Sequence, residues 1–197
     1  TFNATQYLAN YSDLAAAFAG NTERAVRHYI NNGHREGRSY YELITDATIQ
    51  ADVASWKLDN SHKGGIENWN VSQVTDFSSL FSSDSTFNTD ISQWDTSSAT
   101  TMRSMFSDAD SFNIDISNWN TSNVVDMGLM FHAADIFNQD IANWNVANVI
   151  TMIYMFDGAI AFNQDITEWS ISENTTLTNM FQNSPLHAVA GATPLAS

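Results

Sequence analysis

Four carboxylates occupy one place in a repeating pattern: Asp90, Asp115, Asp140 and Asp165, each 25 residues from the next. Two positions before them stand Asn88, Asn113, Asn138 and Asn163, and two positions after them Ser92, Ser117, Ala142 and Thr167. If successive copies pair as parallel strands, neighbouring carboxylates lie roughly 4.8 Å apart. Like charges at that distance repel by about 1 kcal/mol in water and by about 3.5 kcal/mol at an effective dielectric near 20. Arg103 is the only Lys or Arg beyond position 63, so basic side chains cannot neutralise such a file. Three arrangements remain open. The carboxylates are capped by backbone amides, or they hold calcium at Asp90, Asp115, Asp140 and Asp165, or they face a ligand. No Asp-x-Asp-x-Asp-Gly calcium loop accompanies them. By strand alternation, Asn88 and Asp90, Asn113, Asp115 and Ser117, Asn138 and Asp140, and Asn163 and Asp165 share one face. They are the candidate binding residues.

Nucleophilic and metal-assisted catalysis find no motif. His28, His34, His62, His132 and His187 fall in no repeated column, and the chain has no cysteine. Gly-x-Ser-x-Gly, His-Glu-x-x-His and Gly-rich phosphate loops are missing. His132 shares its column with Ser82, Ser107, Asp157 and Gln182, which reads as an exposed file. The reading is therefore non-enzymatic, with no cofactor apart from calcium on the aspartate file.

The elements that must position these residues are set by the same period. Trp recurs at 69, 94, 119, 144 and 169, and Phe at 81, 106, 131, 156 and 181. Met102, Met127 and Met152 precede Met105, Met130 and Met155 by three residues, and Phe87, Phe112, Phe137 and Phe162 form a further column. Residues 124–131 place apolar side chains three to four apart, as in a helical or 3₁₀ turn. Residues 137–142 change to a period of two, predicting a short strand. One such unit cannot bury both parts alone, but stacked units align every apolar column. The expectation is an α/β repeat: a short leucine-rich-repeat-like solenoid of about five 25-residue coils, with one parallel strand per coil.

Four segments follow. Residues 1–46 read as a small helical module, in which one amphipathic segment runs through Tyr7, Leu8, Leu14 and Phe18. Gly20 breaks it, Thr22 caps a second helix and Gly33 ends that helix. Residues 47–65 form an N-terminal helical cap with Ile49, Val53 and Trp56 on one face. Residues 66–184 are the repeat solenoid, and residues 185–197 a tail or linker.

Composition limits the partners. The 197 residues carry 22 Asp and Glu against 7 Lys and Arg, a formal net charge of −15. Six of the seven basic residues lie in the first 63, leaving the repeats with 15 acids and one base. No basic stripe exists to displace counterions, so nucleic acid is excluded as a partner. No apolar run approaches the roughly 20 residues of a membrane helix, which excludes membrane insertion. Without cysteine, a disulfide framework and thiolate zinc sites are excluded as well.

The string Ile116-Ser-Asn-Trp-Asn-Thr-Ser-Asn-Val-Val-Asp-Met, followed by Met130-Phe131 and by Phe137-Asn138-Gln139-Asp140-Ile141, resembles the 25-residue repeat of BspA-like bacterial surface proteins. Related repeats occur in mycoplasma and Listeria surface lipoproteins. The resemblance spans residues 47–184, although the Gly usual after Met-Phe-x is mostly missing. It implies a leucine-rich-repeat-type fold on a secreted or cell-surface protein used in adhesion, and it brings no catalytic residue. The Tyr7-Leu-Ala-Asn-Tyr-x-Asp-Leu14 segment, with His28-Tyr29-Ile30 and Gly33-His34-Arg35-Glu36-Gly37-Arg38, resembles a helical repeat of large secreted bacterial adhesins, some calcium-dependent. That resemblance implies a piece of a longer multi-module chain. The functional expectation is an exported recognition module that binds a protein or glycan through one solenoid face. The alternative is a structural spacer with no ligand.

Overall fold

The computed structural model describes residues 4–29, 43–60 and 62–186. Near the N-terminus three short helices, α1 (Ala4–Asn10), α2 (Ser12–Phe18) and α3 (Thr22–His28), bury Tyr7, Leu8, Leu14 and Ala25 in a small core of their own. The amphipathic segment expected to be continuous is broken between α1 and α2. Tyr11 there is extended (φ −132°, ψ 95°), and Ala19 ends α2 in the left-handed region. Asn21 rather than Thr22 caps α3, its Oδ1 accepting from the Arg24 N–H at 3.0 Å, a role that asparagine fills well. The expected stop at Gly33 lies outside the described residues.

Helix α4 (Ile49–Leu58) turns Ile49, Val53 and Trp56 inward onto the first repeat. From residue 66 the chain runs in stacked 25-residue coils around one apolar core. Phe81, Phe106, Phe131, Phe156 and Phe181 form a file with ring centroids 5.6–5.7 Å apart. Phe87, Phe112, Phe137 and Phe162 form a second file at 5.8–5.9 Å. Within each of the first four coils the two rings lie face to face, as Phe106 and Phe112 do at 3.7 Å. Each Trp indole also reaches back one coil: Nε1 of Trp94, Trp119, Trp144 and Trp169 donates to the carbonyls of Ile66, Ile91, Ile116 and Ile141 at 2.9–3.3 Å. Each buried indole thus keeps a partner for its donor while its ring fills the core.

The expected α/β leucine-rich-repeat solenoid with a parallel strand per coil is overturned. Among the described residues there is no strand and no sheet, only isolated parallel bridges: one joins Leu43 to Asn70, and four link Asp76, Thr101, Asp126, Thr151 and Thr176 in succession. The third coil shows why. The N–H groups of Met127, Leu129, Phe131 and Ala133 donate to Thr151, Ile153, Met155 and Asp157 of the following coil at 2.8–3.0 Å. The intervening N–H groups of Met130, His132 and Ala134 close onto carbonyls three residues back in their own coil. A parallel strand instead leaves its alternate groups free for a second neighbour. The local closure comes from two left-handed residues per coil, Leu129 (φ 60°) and Ala133 (φ 50°) in the third, with Ser79, Ser104, Tyr154 and Asn179, and Ser83, Asp108, Gly158 and Asn183, in the others. The 3.6-like spacing of residues 124–131 is thus a chain of linked turns. Residues 137–142, predicted as a strand, make no backbone ladder, because their coil-to-coil contact runs through side chains.

Candidate functional site

The aspartate file serves the backbone. Oδ1 of Asp90, Asp115, Asp140 and Asp165 accepts from the N–H two residues on, of Ser92, Ser117, Ala142 and Thr167, at 2.9–3.0 Å. These are Asx turns, in which a short acceptor side chain stands in for a backbone carbonyl. Hydrogen bonds from the Ser92 hydroxyl and then its N–H hold Asp90 below the usual carboxylate range. The Ser117 N–H and then its hydroxyl do the same for Asp115, and the Thr167 hydroxyl and then its N–H for Asp165. Of the three arrangements left open by the sequence, the structure displays amide capping. Among the described residues no three His, Asp or Glu side chains gather as a metal would require.

The asparagine file carries the register. Oδ1 of Asn88, Asn113 and Asn138 accepts from the N–H of the asparagine one coil on, Asn113, Asn138 and Asn163, at 2.9–3.0 Å. Gln139 and Gln164 reinforce it, each Nε2 donating to both the carbonyl and Oδ1 of the asparagine one coil back at 2.9 Å. Along this edge stand Asn88, Asp90, Asn113, Asp115, Ser117, Asn138, Asp140, Asn163 and Asp165, and the Oδ1 atoms of the four Asp and of Asn88, Asn113 and Asn138 are turned to the protein's own backbone. The mixed column Val71, Thr96, Thr121 and Val146 is buried, and the Thr96 and Thr121 hydroxyls donate to the Asn120 and Asn145 carbonyls of the next coil.

The bridge edge differs in kind, because its outward positions do not repeat. One column reads Thr75, Thr100, Val125, Ile150, Thr175, another Ser78, Arg103, Gly128, Ile153, Thr178, and a third Ser79, Ser104, Leu129, Tyr154, Asn179. Ile150 is 59% exposed and Val125 39%, and they are neighbours, since the Ile150 N–H donates to the Val125 carbonyl at 2.9 Å. Arg103 lies across Gly128, where a Cβ would come within 2.5 Å of its guanidinium, and reaches Asp126 at 3.6 Å. His132, expected on an exposed file, is instead half-buried, with Nδ1 3.4 Å from the Asp157 carboxylate and without a hydrogen-bond partner. None of the candidate binding residues read from the sequence lies on this edge. The available signal was column variance, outward positions changing from coil to coil between invariant core columns.

Among the described residues no helix is long and apolar enough to cross a membrane. Nothing matched among curated proteins, and nothing among solved structures. A family model described as "Mycoplasma protein of unknown function, DUF285" matches residues 50–148 and again 115–188, spanning α4 and the coils. Helix α4 and its stacked 25-residue coils make this chain a member of the DUF285 family.

Proposed function

We propose that the chain is a non-enzymatic recognition module of a BspA-like secreted or cell-surface protein, contacting its partner along the bridge edge of the coil stack. The observation that carries this is the contrast between the two edges. The Asn and Asp columns repeat over four coils, and the Oδ1 atoms of the four Asp and of Asn88, Asn113 and Asn138 are engaged internally. The bridge edge changes along the stack, from Thr75, Ser78 and Ser79 in the first coil to Ile150, Ile153 and Tyr154 in the fourth, and includes the exposed pair Val125 and Ile150. Identical surfaces on each coil offer a partner no preferred register, whereas a varied surface with apolar anchors does. The columns of paired rings hold these positions rigidly, so little ordering accompanies contact. Partners of protein or glycan type suit the acidic stack, and nucleic acid does not, since the coils hold a single arginine.

The test is binding of the purified chain to host cells, to immobilised extracellular proteins and to glycan-coated surfaces. Ile150→Asp should weaken capture at least about tenfold, while Asn113→Ala should change it less than about twofold. A chain that binds none of these surfaces is a spacer, and the recognition reading is then wrong.

A further inference from the structure

A concave surface lies where the α1–α2 junction faces the first two coils. It is a half-open cleft of about 550 Å³, lined among others by Tyr11, Glu67, Asn70, Gln73, Gln93 and Asp95. That volume is in the range of small-molecule sites, and the cleft joins two bodies with separate cores, a common location for such sites. We propose that this cleft binds a neutral glycan.

Its chemistry selects the ligand. Amide side chains offer a donor and an acceptor at one end, which matches sugar hydroxyls that both donate and accept. Asn70 commits Oδ1 to the Ser72 N–H and hydroxyl, at 3.2 and 2.8 Å, which leaves its NH₂ for a ligand. Gln93 donates through Nε2 to the Ser92 hydroxyl at 3.2 Å, which leaves its carbonyl oxygen. Asp95 holds the Ser97 N–H with Oδ1 at 3.0 Å, which leaves Oδ2 as an acceptor. Gln73 is exposed and makes no side-chain hydrogen bond among the described residues. Among the described residues, Glu67 and Asp95 are the charged groups of the lining, and no Lys, Arg or His joins them. A carboxylate or sulfate on the ligand would meet the like charges of Glu67 and Asp95, so neutral sugars are preferred over acidic ones. The site shares no residue with the bridge edge and goes beyond the partner contact proposed there.

The experiment is calorimetric titration of the full chain with lactose, maltotriose and chitotriose, with 3′-sialyllactose and pentalysine as contrasts. At least one neutral saccharide should bind, and sialyllactose should bind at least tenfold more weakly than lactose. Gln73→Ala and Gln93→Ala should each weaken the neutral ligand about tenfold at an unchanged melting temperature, since both side chains are exposed. Ile150→Asp should leave the titration unchanged even where it abolishes partner capture, which separates the two sites. The proposal is overturned if no neutral saccharide binds at millimolar concentration, if the glutamine variants bind as wild type does, or if pentalysine alone binds.

Discussion

Asp46 stands to Thr75 as Thr75 stands to Thr100. The Thr100 N–H donates to the Thr75 carbonyl one coil back at 2.8 Å. Before the first coil no such carbonyl exists, and the Asp46 carboxylate takes its place, accepting from the N–H groups of Thr75 and Asp76 at 2.7 and 3.0 Å and from the Thr75 hydroxyl at 2.6 Å. Gln50 completes the substitution by donating Nε2 to the Ser78 carbonyl at 2.8 Å. The first coil is thus terminated by side chains that imitate a preceding one.

Asp46→Ala should destabilise the chain by about 1–2 kcal/mol, the scale of a lost charged cap at a solvent-facing position. Burial pushes the Asp46 carboxyl up, but the bonds from the Thr75 hydroxyl and from the Asp76 and Thr75 N–H groups outweigh it and leave it below the ordinary value. A carboxylate depressed in the folded state adds stability above its unfolded pKa and loses it as pH falls through the folded one. The gap between wild type and Asp46→Ala in chemical denaturation should therefore be full at neutral pH and close in acid below about pH 3.9. A gap that persists at pH 2 would contradict the capping role.

Gly158 sits at φ 74° with the nearest side-chain or backbone neighbour, Ala133, 3.5 Å from where a Cβ would be. Gly158→Ala should cost about 1 kcal/mol from the backbone alone, since space is available. Ala133 (φ 50°) fills the same place one coil earlier, and Ala133→Gly should gain about 0.5–1 kcal/mol. Melting curves that move the same way for both variants would contradict the assignment of these turns.

These turns mark the limit of what could be read without coordinates. The period, the Trp and Phe columns and the inward face of α4 were legible, because burial at a fixed spacing leaves an unambiguous apolar pattern. Phe, Asn, Gln, Asp and Ile alternate over residues 137–142 as in a strand, yet the Asn138 N–H finds the Asn113 side chain instead of a backbone partner. Alternation records which side chains face inward, not whether the backbone pairs. The turn positions do carry a trace, in Ser79, Ser83, Ser104, Asp108, Gly158, Asn179 and Asn183, mostly types that tolerate positive φ. Leu129 and Tyr154 at equivalent places obscure it. The aspartate file was legible as a file, and its role followed only from seeing each Oδ1 on its own Asx turn.

Trp119→Phe should cost about 1–3 kcal/mol, because it removes the indole's 3.3 Å bond to the Ile91 carbonyl, which keeps only the Trp94 N–H, and leaves a cavity beside the Phe106 ring. Thr121→Val should stay within about 1 kcal/mol: it removes the hydroxyl bond to Asn145 but installs the residue that Val71 and Val146 already place in that buried column. A cost for Thr121→Val as large as that of Trp119→Phe in denaturant titrations would contradict this ranking.

Calcium at millimolar concentration should raise the melting temperature no further than magnesium does. Each Oδ1 of the aspartate file is committed to its own turn, and no third carboxylate joins a pair among the described residues. A calcium-specific rise that Asp115→Asn removes would restore the file as a metal site.

The most direct measurement grafts the outward residues of the first coil onto the fourth, as Ile150→Thr, Ile153→Ser and Tyr154→Ser together, and compares capture by a host-cell surface with wild type. Thr75, Ser78 and Ser79 already occupy these places in the first coil, so the variant keeps every core column and should melt within a few degrees of wild type. If the bridge edge is the recognition face, capture falls at least about tenfold, while Asn113→Ala and Asp115→Asn bind as wild type does. Undiminished capture by the graft, with loss in the Asn113 and Asp115 variants, would place recognition on the opposite edge and contradict the account.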